Sequence, residues 1–207
     1  MVRVVIFDCD GVMFDSKEAN RAYYNEILRR MGQREMDPQE LEFVHASTAQ
    51  EALRFLFKRR GVDLQEGLSK AKEVDYRPFI GLMKPEPHLR ELLEAIPPDV
   101  KKAISTNRTT TIGPLLDHFG LRDHFDLVIS ARDVSRPKPH PDSLLRILEH
   151  FSLMPHQALF IGDTERDERA SRLAGIPFVA YKNPALRADY HIDDLLEILD
   201  IIRNKRP

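Results

Sequence analysis

Asp8 and Asp10 stand one residue apart at the end of an apolar run, in Val4-Val5-Ile6-Phe7-Asp8-Cys9-Asp10-Gly11-Val12. Side chains alternate along an extended strand, so both carboxylates share one side and Cys9 takes the other. Carboxylates held this close repel each other unless a cation or a shared proton relieves them. Gly11 permits a sharp turn and lets a ligand come close to the backbone. The pattern suits a divalent metal and a nucleophilic carboxylate at the carboxyl end of a buried strand. Its alternative is a polar turn that closes the strand.

Three later segments carry the same kind of signal. Lys102-Ala103-Ile104-Ser105-Thr106-Asn107-Arg108 is an apolar run ending in hydroxyl and amide groups. Arg136-Pro137-Lys138-Pro139-His140-Pro141 places a lysine in a proline-stiffened loop. Ala158-Leu159-Phe160-Ile161-Gly162-Asp163-Thr164-Glu165-Arg166-Asp167 runs into Gly-Asp, with a second Asp four residues on. In this order the four segments resemble the haloacid dehalogenase superfamily of phosphotransferases. The resemblance covers nearly the whole chain apart from the stretch between the first two motifs. That stretch, following the first motif directly, is similar to the small helical cap of the phosphoglycolate-phosphatase-like branch.

The resemblance implies a role for each motif residue. Asp8 is the nucleophile that forms an aspartyl-phosphate, splitting one difficult displacement into two easier ones. Asp10 protonates the leaving alcohol and then activates water; its alternative role is a plain metal ligand. In related enzymes the backbone carbonyl at that position binds the metal, and the dehalogenases lack this second Asp. With Asp8 and Asp10, Asp163 completes a Mg²⁺ site, because a small hard cation takes oxygen ligands. Asp167 holds a metal-bound water or Lys138, or else complements a helix N-terminus. Lys138 neutralises the transferred phosphate, while Thr106 and Asn107 donate to its oxygens. For Thr106 the alternative is N-capping, with Thr109 a nearby substitute, and Ser105 is the rival if the register shifts by one.

Two positions depart from the family pattern. Arg108 stands where lysine is common after Thr-Asn, and either reaches a second anionic group or faces solvent. His88 falls where many relatives have glycine, which alters the expected turn and the entrance to the site. In the cap loop where relatives read their substrates, His45, Ser47 and Thr48 are the candidates for specificity, against an ordinary surface role. The implied activity is Mg²⁺-dependent hydrolysis of a small phosphorylated metabolite. A β-phosphoglucomutase-like phosphomutase uses the same four motifs. A phosphoryl-accepting signalling module also clusters acidic residues with a Thr and a Lys. There, however, the acceptor follows a later strand, and no Gly-Asp-x-x-x-Asp segment is expected.

The elements that must position these residues show in the apolar patterning. Strand-like runs recur at Arg3–Phe7, Ala103–Ser105, Leu127–Ser130, Ala158–Ile161 and Pro177–Ala180. Helical patterns lie at Ile112–Phe119, Ser143–Phe151 and Asp167–Ala174, with a last helix from about Ile192 to Ile202. Alternating strands and helices imply an α/β fold, a Rossmann-like parallel sheet with helices on both faces. Ligands of such sheets gather at the carboxyl ends of the strands, where Asp8, Asp10, Thr106 and Asp163 all fall. Residues 1–15 and 81–207 are expected to form this core, and residues 16–80 an inserted helical cap. Within the cap, Ser16 N-caps a helix carrying Ala19, Tyr23, Ile27 and Met31 and stopped by Gly32. Asp37-Pro38 opens a second helix, and Thr48 through Glu51 have capping-box spacing for a third that ends at Gly61. A fourth helix follows Asp63.

Composition agrees with this reading. The chain has 207 residues, a net charge of −2 and one cysteine. Its charges are interspersed, so no basic footprint for nucleic acid is present. One cysteine allows neither an intramolecular disulfide nor a cysteine metal cluster. The N-terminal apolar run is too short for a signal peptide and no segment can span a bilayer, so a soluble cytoplasmic protein is expected.

Overall fold

The computed structural model describes residues 1–45, 47 and 49–204, with His45 described by its backbone alone. The chain forms two compact units: Met1–Asp15 together with Pro85–Pro207, and Ser16–Lys84.

The described residues form eight strands in chain order: β1 (Val4–Phe7), β2 (Phe14–Asp15), β3 (Lys84–Pro85), β4 (Lys101–Ser105), β5 (Leu127–Ile129), β6 (Ala158–Gly162), β7 (Phe178–Tyr181) and β8 (Tyr190–Ile192). Six of them make one sheet in the order β5-β4-β1-β6-β7-β8. All its pairings are parallel, with Phe7 opposite Ile104 on one side and Ile161 on the other. The two-residue strands β2 and β3 pair with each other. Every residue of β1 is buried, as expected of a central strand covered on both faces. Val4 and Ile6 share a core with Leu144, Ile147 and Ala170. By alternation Phe7 faces the opposite way, and its ring meets Phe125 edge-on with centroids 5.9 Å apart. Around the sheet lie helices at Leu89–Ala95, Ile112–His118, Asp142–Phe151, Glu165–Ala174 and Glu197–Asn204.

Two expectations for the first unit are corrected. The last helix begins at Glu197, not near Ile192, which instead ends β8. Glu197 Oε1 accepts from the amides of Asp193 and Asp194, so its side chain caps the helix start and excludes the two aspartates from it. Strand β8 has no counterpart in the sequence reading. It is a three-residue edge strand in which Ile192 alone is buried, too short for any periodicity to register.

The second unit holds helices at Lys17–Arg30, Pro38–His45, Ala49–Arg60 and Leu64–Lys72, then a 3₁₀ turn at Arg77–Leu82. Tyr24, Ile27, Leu28, Val44, Leu56 and Phe57 lie in its core. The expected stripe of Ala19, Tyr23, Ile27 and Met31 does form the inner side of the first helix, with Ala19 and Ile27 buried and Tyr23 and Met31 packed partly buried against this core; Tyr24 and Leu28 widen the buried face. Ser16 precedes that helix but makes no capping bond; its Oγ accepts from Asn20 Nδ2 at 3.3 Å. The Asp37 signal is realised as a reciprocal cap: Glu40 N donates to Asp37 Oδ1 at 2.8 Å, and Asp37 N donates to Glu40 Oε2 at 3.0 Å. Glu40 is fully buried and is ion-paired by Arg34, Arg59 and Arg60. Asp63 Oδ1 caps the fourth helix through the amides of Gln65 and Glu66. Thr48, the expected cap of the third, lies outside the described residues.

Candidate active site

The sheet ladder carries Asp8 to its place, because Asp8 N donates to Ile161 O at 2.9 Å and so extends the β1–β6 pairing by one residue. The chain then turns tightly, with the amides of Met13 and Phe14 both donating to Cys9 O. Gly11 adopts φ +82, and a Cβ there would fall under 3.0 Å from Asp163 Oδ2. Glycine is thus required twice, for the turn and for the approach of this loop to Asp163. Cys9 is buried on the other side, and burial pushes its thiol well up, so it stays protonated and acts as a core residue.

Lys138 is the centre of the charge cluster. Only 4% exposed, it donates from Nζ to Asp8 Oδ1 and to Asp167 Oδ1, both at 2.6 Å. Burial alone would lower its pKa, but the adjacent Asp167 and Asp8 carboxylates raise it above the ordinary lysine value, so it stays charged. Its loop is anchored by Asn107, whose Nδ2 donates to Lys138 O at 3.0 Å. Asp167 is buried at the start of the Glu165–Ala174 helix. There its Oδ2 accepts from the Thr164 hydroxyl and amide, which closes a capping box with Thr164. Asp167 therefore occupies both positions considered for it, at a helix N-terminus and against Lys138.

Asp8, Asp163 and Asp167 each offer a carboxylate oxygen within 4.8 Å of the others. Asp163 Oδ1 is buried without a hydrogen-bond partner among the described residues. Such an atom is costly unless something positive sits beside it. Burial pushes Asp8 up to about 7, with Lys138 opposing and Asp167 reinforcing the shift. Burial and then the charges of Asp8 and Asp167 push Asp163 up to about 8. Ionised together, three crowded carboxylates with one lysine between them carry excess negative charge. A hard divalent cation with oxygen ligands fits both that charge and the orphaned oxygen.

At the end of β4 the hydroxyls separate. Ser105 Oγ pairs with Ser143 Oγ at 2.8 Å inside the core. Thr106 is buried at 3% exposure, its amide donates to Ile129 O, and its Oγ1 accepts from Arg108 N at 3.0 Å. With that lone pair engaged, the Thr106 hydroxyl proton is directed elsewhere, as a donor to an anion requires. The helix that follows takes Thr111 as its N-terminal residue and gets no side-chain cap from it.

Neither reading of Arg108 anticipated its contact. Its Nε donates to Asp10 Oδ2 at 2.8 Å and its Nη2 to Asp10 Oδ1 at 2.6 Å. The Arg108 side chain is 8% exposed and that of Asp10 is 38%. Asp10 thus turns its carboxylate to Arg108, while the acidic cluster is made by Asp8, Asp163 and Asp167. The signal was the departure itself, an arginine where the family has lysine. His88 sits at φ +60, the left-handed conformation that a glycine would adopt freely, and its Nδ1 lies 2.7 Å from Asp194 Oδ2. Asn183, which the sequence reading passed over, donates from Nδ2 to Asp163 O at 2.8 Å and so steadies the backbone of that carboxylate. Its only sequence signal is an amide just beyond a strand end. In the helical unit, Ser47 Oγ donates to Phe43 O at 2.7 Å. Thr48 and the side chain of His45 lie outside the described residues.

Comparison with known proteins gives a consistent picture. A family model for haloacid dehalogenase-like hydrolases matches residues 5–181. The phosphoglycolate phosphatase of Escherichia coli (strain K12) is 37% identical over 95 residues, which is 45% of this chain and 38% of that protein. The match therefore spans well under half of this curated relative. A crystal structure of a HAD-superfamily hydrolase, subfamily IA, variant 1, from Geobacter sulfurreducens PCA is 39% identical, with a TM-score of 0.88 over 97% of this chain and 100% of that one. CbbY from Rhodobacter sphaeroides, solved in complex with phosphate, shares the fold at 21% identity and a TM-score of 0.79, over 96% of each chain.

Proposed function

Because the chain belongs to the haloacid dehalogenase-like hydrolases, we propose that it is a Mg²⁺-dependent phosphatase of small phosphomonoesters, acting through an aspartyl-phosphate on Asp8. The observation that carries this reading is Lys138 Nζ at 2.6 Å from both Asp8 and Asp167, beside the partnerless Asp163 Oδ1. An acidic nucleophile buried with its own counter-cation is arranged to meet an anionic substrate.

In this reading an Asp8 oxygen attacks phosphorus, the bond from phosphorus to the ester oxygen breaks, and Asp10 gives that oxygen a proton. Water then attacks the phosphoenzyme and passes a proton back to Asp10, which releases inorganic phosphate and restores the Asp8 carboxylate. Thr106 donates its hydroxyl to a phosphate oxygen, and Lys138 offsets the transferred charge. Asn107 serves through the loop it anchors. Asp8 and Asp163 would hold the cation, with the Asp10 backbone carbonyl as a further ligand and Asp167 beside them holding Lys138. When bound, Mg²⁺ supplies positive charge between phosphate and carboxylates that would otherwise repel it.

Residues 16–80 are assigned as a cap that reads the rest of the ester, with His45, Ser47 and Thr48 as its candidate contacts. Phosphoglycolate heads the esters to assay, given the similarity to the Escherichia coli enzyme. No helix among the described residues is long and apolar enough to cross a membrane; the role proposed for the protein is a cytoplasmic one, on a dissolved metabolite. A panel of phosphate esters assayed with Mg²⁺ and with chelator tests the whole reading. Phosphate release should require Mg²⁺, and Asp8→Asn should fold normally and lose turnover by at least about 10²-fold. Full activity in exhaustive chelator, or an Asp8→Asn variant keeping a tenth of the rate, would overturn it.

A further inference from the structure

We propose that Arg108 is a positioning residue, whose guanidinium holds the Asp10 carboxylate in the orientation from which it activates the water that hydrolyses the phosphoenzyme. The inference rests on the phosphatase reading above and adds to it a residue outside the shared motif set. Nε and Nη2 grip the two oxygens of Asp10 at 2.8 and 2.6 Å, a planar two-point contact that fixes the plane of the carboxylate as well as its place.

Arg108 is itself held on several sides. Its amide donates to Thr106 Oγ1, its carbonyl accepts from Ala131 N at 3.0 Å, and its Nη1 donates to Thr111 Oγ1 at 3.2 Å. One rigid link therefore joins the proposed phosphate donor Thr106 to the proposed base Asp10. Lysine could supply the charge but not the flat, two-pronged geometry.

The test uses an aryl phosphate in Mg²⁺, with rapid-mixing kinetics and intact-mass detection of the phosphorylated chain. In Arg108→Ala the first step should proceed near the normal rate and phosphoenzyme should accumulate, with its hydrolysis slowed about 10²-fold, the scale of a misplaced catalytic group. Arg108→Lys, which keeps the charge, should still hydrolyse the phosphoenzyme about tenfold too slowly while melting like the wild type. The double variant Asp10→Asn/Arg108→Ala should be no slower in that step than Asp10→Asn alone, because Arg108 acts through Asp10. Additive losses, or full rescue by Arg108→Lys, would overturn the proposal. So would unchanged phosphoenzyme hydrolysis with KM raised only for esters bearing a second anionic group, which would make Arg108 a reader of substrate. A wild-type protein that turns over no ester in Mg²⁺ overturns the phosphatase reading, and this inference with it.

Discussion

Asp8 and Asp10 have the same side chain, stand one residue apart, and sit in different surroundings. Asp8 is buried against a lysine that it shares with Asp167, whereas Asp10 is partly open and gripped by an arginine. In the proposed mechanism the two carboxylates do different work, Asp8 as nucleophile and Asp10 as acid and then base. The division predicts a leaving-group dependence. General acid–base assistance contributes roughly 10²- to 10⁴-fold, so Asp10→Asn should lose at least that order with an alkyl phosphate. With an aryl phosphate, whose leaving group needs no proton, formation of the phosphoenzyme should survive better. Steady-state rates on paired aryl and alkyl esters check this; equal losses together with sharply weakened Mg²⁺ binding would make Asp10 a ligand instead.

At the scale of elements, the sequence was most legible where apolar runs met a chemical signal. The ends of β1, β4 and β6 are marked by Asp8, Thr106 and Asp163, and the structure puts these strands side by side. Less legible were contacts that join distant side chains. Nothing local to Arg108 says that a residue 98 positions away will receive its guanidinium, and nothing around Tyr190 marks an edge strand with one buried side chain. Glu40 is a third case: one surface-type residue of an amphipathic helix proves to be the buried hub for three arginines. Removing it strands Arg60, which is 4% exposed, without its counter-charge. Breaking a buried ion pair in this way costs about 3 kcal/mol, and Glu40→Gln should show a loss of that order in urea titration. Burial by itself would raise the Glu40 pKa, but hydrogen bonds from Arg60, the Asp37 amide and Arg34 lower it from 4.5 to about 2. Its stabilisation is thus complete above about pH 4.5 and fades as the pH falls toward 2. The acid limb of the wild-type stability curve should therefore flatten in the variant.

For the whole molecule, the crowded carboxylates pull stability in the other direction with pH. Asp8 and Asp163 are raised to about 7 and about 8, so the folded chain keeps protons that the unfolded chain releases at about pH 4. Metal-free protein should accordingly lose stability as the pH rises from about 4 to about 8. Mg²⁺ should restore it most at the alkaline end, by about 2.7 kcal/mol at a hundredfold excess over its dissociation constant. Thermal melts at pH 5.0 and pH 8.5, in chelator and in Mg²⁺, test both signs. Equal melting temperatures in chelator would show that these groups carry no protons in the fold.

Strand order also sets a timetable for biosynthesis. The strand that ends up between β4 and β6 is the earliest of the sheet to be translated. Its apolar Val4–Phe7 stretch has no neighbour until Lys101 is made and no second one until Ala158 is. At ~5–20 residues per second, the ribosome needs roughly 8–30 s to reach Ala158 from the first strand. Over that time the segment waits with at least one of its two edges unpaired. The helical insertion, with a core of its own, is the part of the chain equipped to fold meanwhile. Nascent chains halted before Ala158 should therefore engage chaperones through the N-terminal strand, and those halted after β7 should not.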